Sequence, residues 1–147
     1  MNIYADAMAA PMPADEFPIS PHRLSVCVAR ILRERCQTPS IVPQGDRTLL
    51  VTPFIQVSAD ELERIARLRG PSGKWMSGRY RLQFAISGKN SERSELSITS
   101  QILANPAPGA ILPPLMGPGG PMRGMAVPSN GSLERRWREI MRKRCGG

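Results

Sequence analysis

From Leu24 onward the apolar positions recur at helical spacing, with Leu24, Cys27, Val28, Ile31 and Leu32 on one side and Arg23, Arg30, Arg33 and Glu34 on the other. Ser20 supplies a capping hydroxyl and Pro21 fits the first helical position, so the pattern predicts an amphipathic helix of about four turns ending before Pro39. The period then changes. Thr48 to Val57 alternates, with Leu49, Val51, Ile55 and Val57 on one face, which predicts a strand that Pro53 forces to a sheet edge or a bulge. Ser58 and Glu61 form a capping box and Val57 and Leu62 a hydrophobic staple, which predicts a short surface helix ending at Gly70-Pro71.

Two further alternating runs follow, Arg79 to Ser87 and Leu96 to Ile102, joined by the polar stretch GKNSERS. They predict an antiparallel hairpin with one buried and one wet face. Residues 105–128 contain seven Pro and five Gly, a composition that predicts a long loop. In the closing stretch Leu133, Trp137, Ile140 and Met141 share one side of a helix, with Ser129, Asn130 or Ser132 as its cap and Gly146 as its end. Glu134 with Arg138, Arg135 with Glu139, and Glu139 with Lys143 are spaced to support it.

The expected fold class is therefore α+β: an antiparallel sheet of about three strands covered by N-terminal and C-terminal helices. Residues 1–19 show neither periodicity and are expected to form a disordered tail. Residues 20–147 are expected to form a single domain interrupted by the Pro/Gly-rich loop at 105–128.

Charge changes the picture more than composition does. Residues 1–20 hold Asp6, Asp15 and Glu16 and no Lys or Arg, so residues 21–147 set twenty basic side chains against nine acidic ones. Such a field attracts polyanions: nucleic acid, anionic lipid headgroups or an acidic protein face. All but Lys74, Lys89 and Lys143 of the basic residues are Arg, a bias that a GC-rich genome also produces. The sharpest cluster is Arg135, Arg136, Arg138, Arg142, Lys143 and Arg144, which is either a phosphate-contacting element or the solvated back of a helix packed on the sheet. In the loop, Leu115, Met116 and Met122 stand out as apolar residues suited to docking in a partner's groove, against the plainer alternative of an insertion. The candidate partner-binding residues are Arg135, Arg138, Arg142, Leu115, Met116 and Met122.

Catalytic chemistry finds no support in the pattern. The single His22 stands beside Pro21 with no GxSxG or papain-like cysteine context, and the carboxylates fall mostly at caps and helical ion pairs. GPSGK at 70–74 lacks the spacing of a phosphate loop. With one His and no CxxC, no metal site is expected, nor any cofactor or small-molecule substrate. Of the three cysteines, Cys27 and Cys36 lie nine residues apart on opposite sides of one helix, roughly 13 Å along its axis, and cannot bridge each other. Both a Cys36 to Cys145 bridge and free thiols stay open. No run approaches the ~20 apolar residues of a membrane span. MNIYADAMAAPMPADEFP has neither the basic nor the apolar region of a secretory signal, so the expectation is either the cytoplasm or a start that lies upstream of Met1.

The order of elements resembles the helix-grip type of α+β domain. More narrowly, RYRLQFAIS, then SELSITSQI, then a loop closing with PSNGSLERRW resembles small bacterial envelope lipoproteins related to the accessory lipoprotein C of the β-barrel assembly machinery, over residues 21–145. The chain departs from them in lacking a lipobox and in the composition of its loop. The resemblance implies a non-enzymatic interaction or scaffold role in the envelope, with a protein partner, and, with a leader upstream of Met1, a place in the bacterial periplasm or outer membrane; it carries over no functional residue. The alternative expectation is a small basic nucleic-acid-binding protein using the Arg-rich C-terminal helix.

Overall fold

The computed structural model describes residues 14–68, 75–107 and 124–146. Its elements are β1 (Asp15–Phe17), α1 (Pro21–Glu34), β2 (Ser40–Gln44), β3 (Arg47–Val51), β4 (Ile55–Ser58), α2 (Ala59–Ile65), β5 (Trp75–Gly88), β6 (Ser94–Pro106), β7 (Met125–Val127) and α3 (Ser132–Cys145). The protein is α+β, with a seven-stranded antiparallel sheet and three helices among the described residues. That corrects the expectation of about three strands under a helix-grip arrangement. The strands run in the order β1-β6-β5-β3-β2, with β4 also paired to β5 and β7 to β6.

Four strands escaped the sequence pattern, each for a physical reason. β1 lies in the segment expected to be a disordered tail, and it is held because Phe17 is buried and because Asp15, Glu16 and Phe17 pair with Leu96, Glu95 and Ser94. β2 contains Pro43 and is exposed throughout, so no alternation marks it. It is defined by its pairing with β3 across a two-residue turn at Gly45-Asp46, where Gly45 takes φ of 60°, a conformation that costs a residue without Cβ nothing. β3 and β4 read as one strand in sequence but separate at Thr52-Pro53. β7 and the last residues of β6 occupy the two ends of the expected loop; residues 108–123 of that loop lie outside the described residues, as do residues 1–13 of the expected tail.

The chain divides into two compact units. The first is drawn from Ala10–Pro53, Arg81–Ser100 and Leu133–Gly147. Here Leu50 pairs with Phe84, and both point to the side where Leu82, Ile86, Leu96 and Ile98 are also buried. Onto that side α1 turns Leu24, Val28, Ile31 and Leu32, and α3 turns Leu133, Trp137 and Met141. Phe84 meets Trp137 edge to face with ring centroids 5.9 Å apart, a geometry that adds to the area buried. Thr52 explains how the unit tolerates Pro53: its N–H donates to the Leu82 carbonyl at 3.0 Å and its Oγ1 accepts from the Leu82 N–H at 2.8 Å. One residue thereby satisfies both backbone groups of Leu82, and the proline that follows is asked for no donor.

The second unit includes Phe54–Tyr80 and Gln101–Ser132. Its helix α2 starts on the expected cap, with Ser58 Oγ accepting from the Glu61 N–H at 3.2 Å. It ends at Ile65, short of the expected Gly70, because Ala66 turns extended and bridges Ser129 while the Arg67 N–H donates to the Pro128 carbonyl at 2.8 Å. Asn130 then closes the helix: its N–H donates to the Ile65 carbonyl at 3.0 Å and its side chain to the Arg64 carbonyl at 2.7 Å. Leu62 is buried over Gly78, where a Cβ would stand 2.7 Å from Leu62 Cδ1 and 2.9 Å from the Leu103 carbonyl oxygen. Only glycine permits that approach.

Candidate binding face: the stapled helical layer

In the first unit the two long helices are joined by several bonds. α1 is capped by Ser20, whose Oγ accepts from the Arg23 N–H at 3.2 Å, and it runs on to Arg35, whose N–H closes onto the Leu32 carbonyl. Cys27 in α1 and Cys145 at the end of α3 form a disulfide across 118 positions, with Cα atoms 6.0 Å apart. Neither of the two arrangements left open by the sequence anticipates this pairing. Cys36, just past the end of α1 at φ of 60°, is the exposed free thiol. Beside the disulfide Arg144 donates two hydrogen bonds to Glu34, at 2.5 and 3.1 Å. Arg144 holds the Glu34 carboxyl below its usual range and is itself raised by it. Arg35 stacks over Trp137 at 5.2 Å from the ring centroid.

A second ionic contact engages Arg138 and Arg142 of α3. Asp15 is only 7% exposed, and its pairing with Leu96 directs it to the helix-covered side of the sheet. Arg138 grips it with both arms of the guanidinium, Nε at 2.5 Å and Nη2 at 2.6 Å, and Arg142 adds a third bond at 2.9 Å. The carboxylate raises the Arg138 pKa above its ordinary value. A bidentate fork on a buried carboxylate is the strong form of such a pair, because geometry and charge act together. Nearby, the Ser100 hydroxyl donates to the buried Glu134. On the other face of the sheet Glu16 and Glu95 stand opposite each other, and Lys89 bridges them. Glu16 is lowered chiefly by its hydrogen bond from Lys89.

These contacts sort the sequence candidates. Arg138 and Arg142 are engaged by Asp15, whereas Arg135 is exposed; Leu115, Met116 and Met122 lie outside the described residues. Sequence reasoning missed Asp15, because the segment around it carries no period, and it placed Arg23, Arg30 and Arg33 on the outward side of α1 without counting them among the candidates. The two helices, with Arg35, hold ten basic side chains against three acidic ones. After internal pairing, Arg23, Arg30 and Arg33 of α1 and Arg135 and Arg136 of α3 remain exposed, as does Val26 at 46%. Lys143 is paired with Glu139 at 3.1 Å. Among the described residues no group of three or more His, Cys, Asp or Glu is placed to hold a metal ion, and no helix is long and apolar enough to cross a membrane.

A second exposed feature is the edge strand β2, where Ile41 is 56% and Val42 41% exposed. Because Gln44 and Arg47 close the hairpin, ladder alternation turns Ile41 and Pro43 outward. Pro39 has the same parity, so Ile41 alone offers an outward N–H between two residues that have none. Prolines on an edge discourage strand addition. Compared with protein-family models, with curated proteins and with solved structures, the chain matches none, and nothing in those comparisons links it to the accessory lipoprotein C family.

Proposed function

We propose that the protein is a non-enzymatic interaction module working in an oxidising compartment, the bacterial cell envelope, with its stapled helical layer as the contact surface. The observation that carries this reading is the Cys27–Cys145 disulfide, since such bonds persist where thiols are not kept reduced and are rare in the cytosol. The bond ties α1 to the end of α3, so it holds their exposed faces as one surface. Against the alternative of nucleic-acid binding stands the internal use of the basic cluster: Arg138 and Arg142 serve Asp15, and Arg144 serves Glu34.

Alkylation of thiols in intact producing cells, followed by mass analysis, tests the compartment. Protection of Cys27 and Cys145 with labelling of Cys36 is the expected result, and labelling of all three overturns the reading. Retention on duplex DNA at physiological salt that weakens steeply as salt rises would restore the nucleic-acid alternative.

A further inference from the structure

We infer that the outward side of the α1–α3 layer docks on an anionic lipid surface, a refinement that rests on the interaction-module reading above. Three observations converge. The first is charge left over: Arg23, Arg30, Arg33, Arg135 and Arg136 are exposed beyond those that serve Asp15 and Glu34. Guanidinium groups match phosphate with paired donors, and each basic residue near an anionic bilayer adds attraction that falls off within a Debye length. The second is Val26, exposed between Arg23 and Arg30 at helical spacings of three and four. An apolar side chain within an arginine field has nothing to gain from a phosphodiester backbone in water, but it gains by entering the headgroup region. The third is the staple, which fixes α1 to α3 before binding, so the arginines of both helices are presented without the cost of ordering them.

The opposite face of the sheet in this unit is charge-balanced by comparison. There Glu16 and Glu95 are bridged by Lys89, with Arg93 at 3.8 Å from Glu16. The polarity of the unit therefore singles out the helical side for a negatively charged plane.

The test uses the full oxidised chain and sedimentation with vesicles of phosphatidylcholine, either pure or with roughly one-third phosphatidylglycerol, at about 0.15 M salt. The wild type is expected to bind the anionic vesicles, to ignore the neutral ones, and to dissociate as salt rises. Replacing Arg30, Arg33, Arg135 and Arg136 together by Gln should weaken binding on the order of several hundredfold, at about fivefold per arginine. Val26→Gln should weaken it about threefold while leaving the salt dependence unchanged. An unchanged melting temperature and an intact disulfide in both variants exclude a folding effect. Equal binding to neutral vesicles, no binding to anionic ones, or full binding by the quadruple variant overturns the proposal. So does tighter binding to duplex DNA than to vesicles at the same salt with no effect of Val26→Gln. Thiol labelling in cells is independent of this result. Reduced Cys27 and Cys145 with intact vesicle binding removes only the compartment, whereas an oxidised pair with no vesicle binding removes only the lipid surface.

Discussion

Each of the two units of this chain is held together internally, and by different chemistry. In the first, residues far apart in sequence are tied by side-chain bonds: the disulfide spans 118 positions and the Asp15–Arg138 fork 123. In the second, cohesion comes from close packing and backbone closure, with Leu62 seated on Gly78 and the carbonyls at the end of α2 taken by Asn130 and Ser132. The first kind of bond depends on redox state and charge; the second depends on shape. The candidate binding face lies in the unit whose geometry the solvent conditions can alter.

The largest effect is expected from the staple. Changing Cys27 and Cys145 together to Ser should lower the stability of the first unit by about 2–5 kcal/mol, because a very long loop is released in the unfolded chain. Denaturant unfolding with and without a thiol reductant measures this, and in reductant the wild type should approach the variant. A wild-type midpoint indifferent to reductant would mean that the bond adds nothing to the unit. Next in size is Asp15→Asn. Removing one partner of a buried pair is costly, and partial exposure of Arg138 reduces the loss to about 2 kcal/mol. Glu139→Gln, which breaks only the exposed pair with Lys143, serves as the reference; equal losses in the two variants would refute a special role for the fork. In the second unit Gly78→Ala forces Leu62 or the Leu103 carbonyl to move and should cost about 1–3 kcal/mol. This loss should be the same in oxidant and reductant, and it should add to that of the cysteine variant if the two kinds of cohesion are independent.

How much of this was legible depended on whether a residue's role was local. The start of α1 at Ser20-Pro21, the start of α2 at Ser58 and the alternation of Leu82, Phe84 and Ile86 are decided within a few residues, and the sequence pattern placed them. The end of α2 was misplaced because Gly70-Pro71 offered a local stop, whereas the actual stop comes from Pro128 to Asn130. β1 was hidden for the same reason. Three residues carry no periodic signal, and the fork that fixes Asp15 belongs to the far end of the chain. The arginine-rich helix was read from sequence, but which arginines stay free is decided by Asp15 and Glu34, and no spacing rule connects those residues to α3.

The smallest expected effect is the pH dependence of the exposed pairs, and its sign separates them from the staple. Glu16 and Glu34 both lie below their ordinary value of 4.5, chiefly through hydrogen bonds from Lys89 and Arg144. Between that value and the lower folded one, the unfolded chain binds protons that the folded chain does not. Their contribution is therefore complete above about 4.5 and is lost as the pH falls through the folded value. Lys89, raised above 10.5 by Glu16 and then Glu95, acts in the opposite sense: its contribution is present below 10.5 and is lost as the pH rises through its folded value. Melting curves across both windows should fall off on each side, and added salt should flatten the fall because these side chains are exposed. Glu34→Gln should remove part of the acid limb without changing the response to reductant. A variant that lost both together would show that the Arg144–Glu34 pair and the neighbouring disulfide act as one latch.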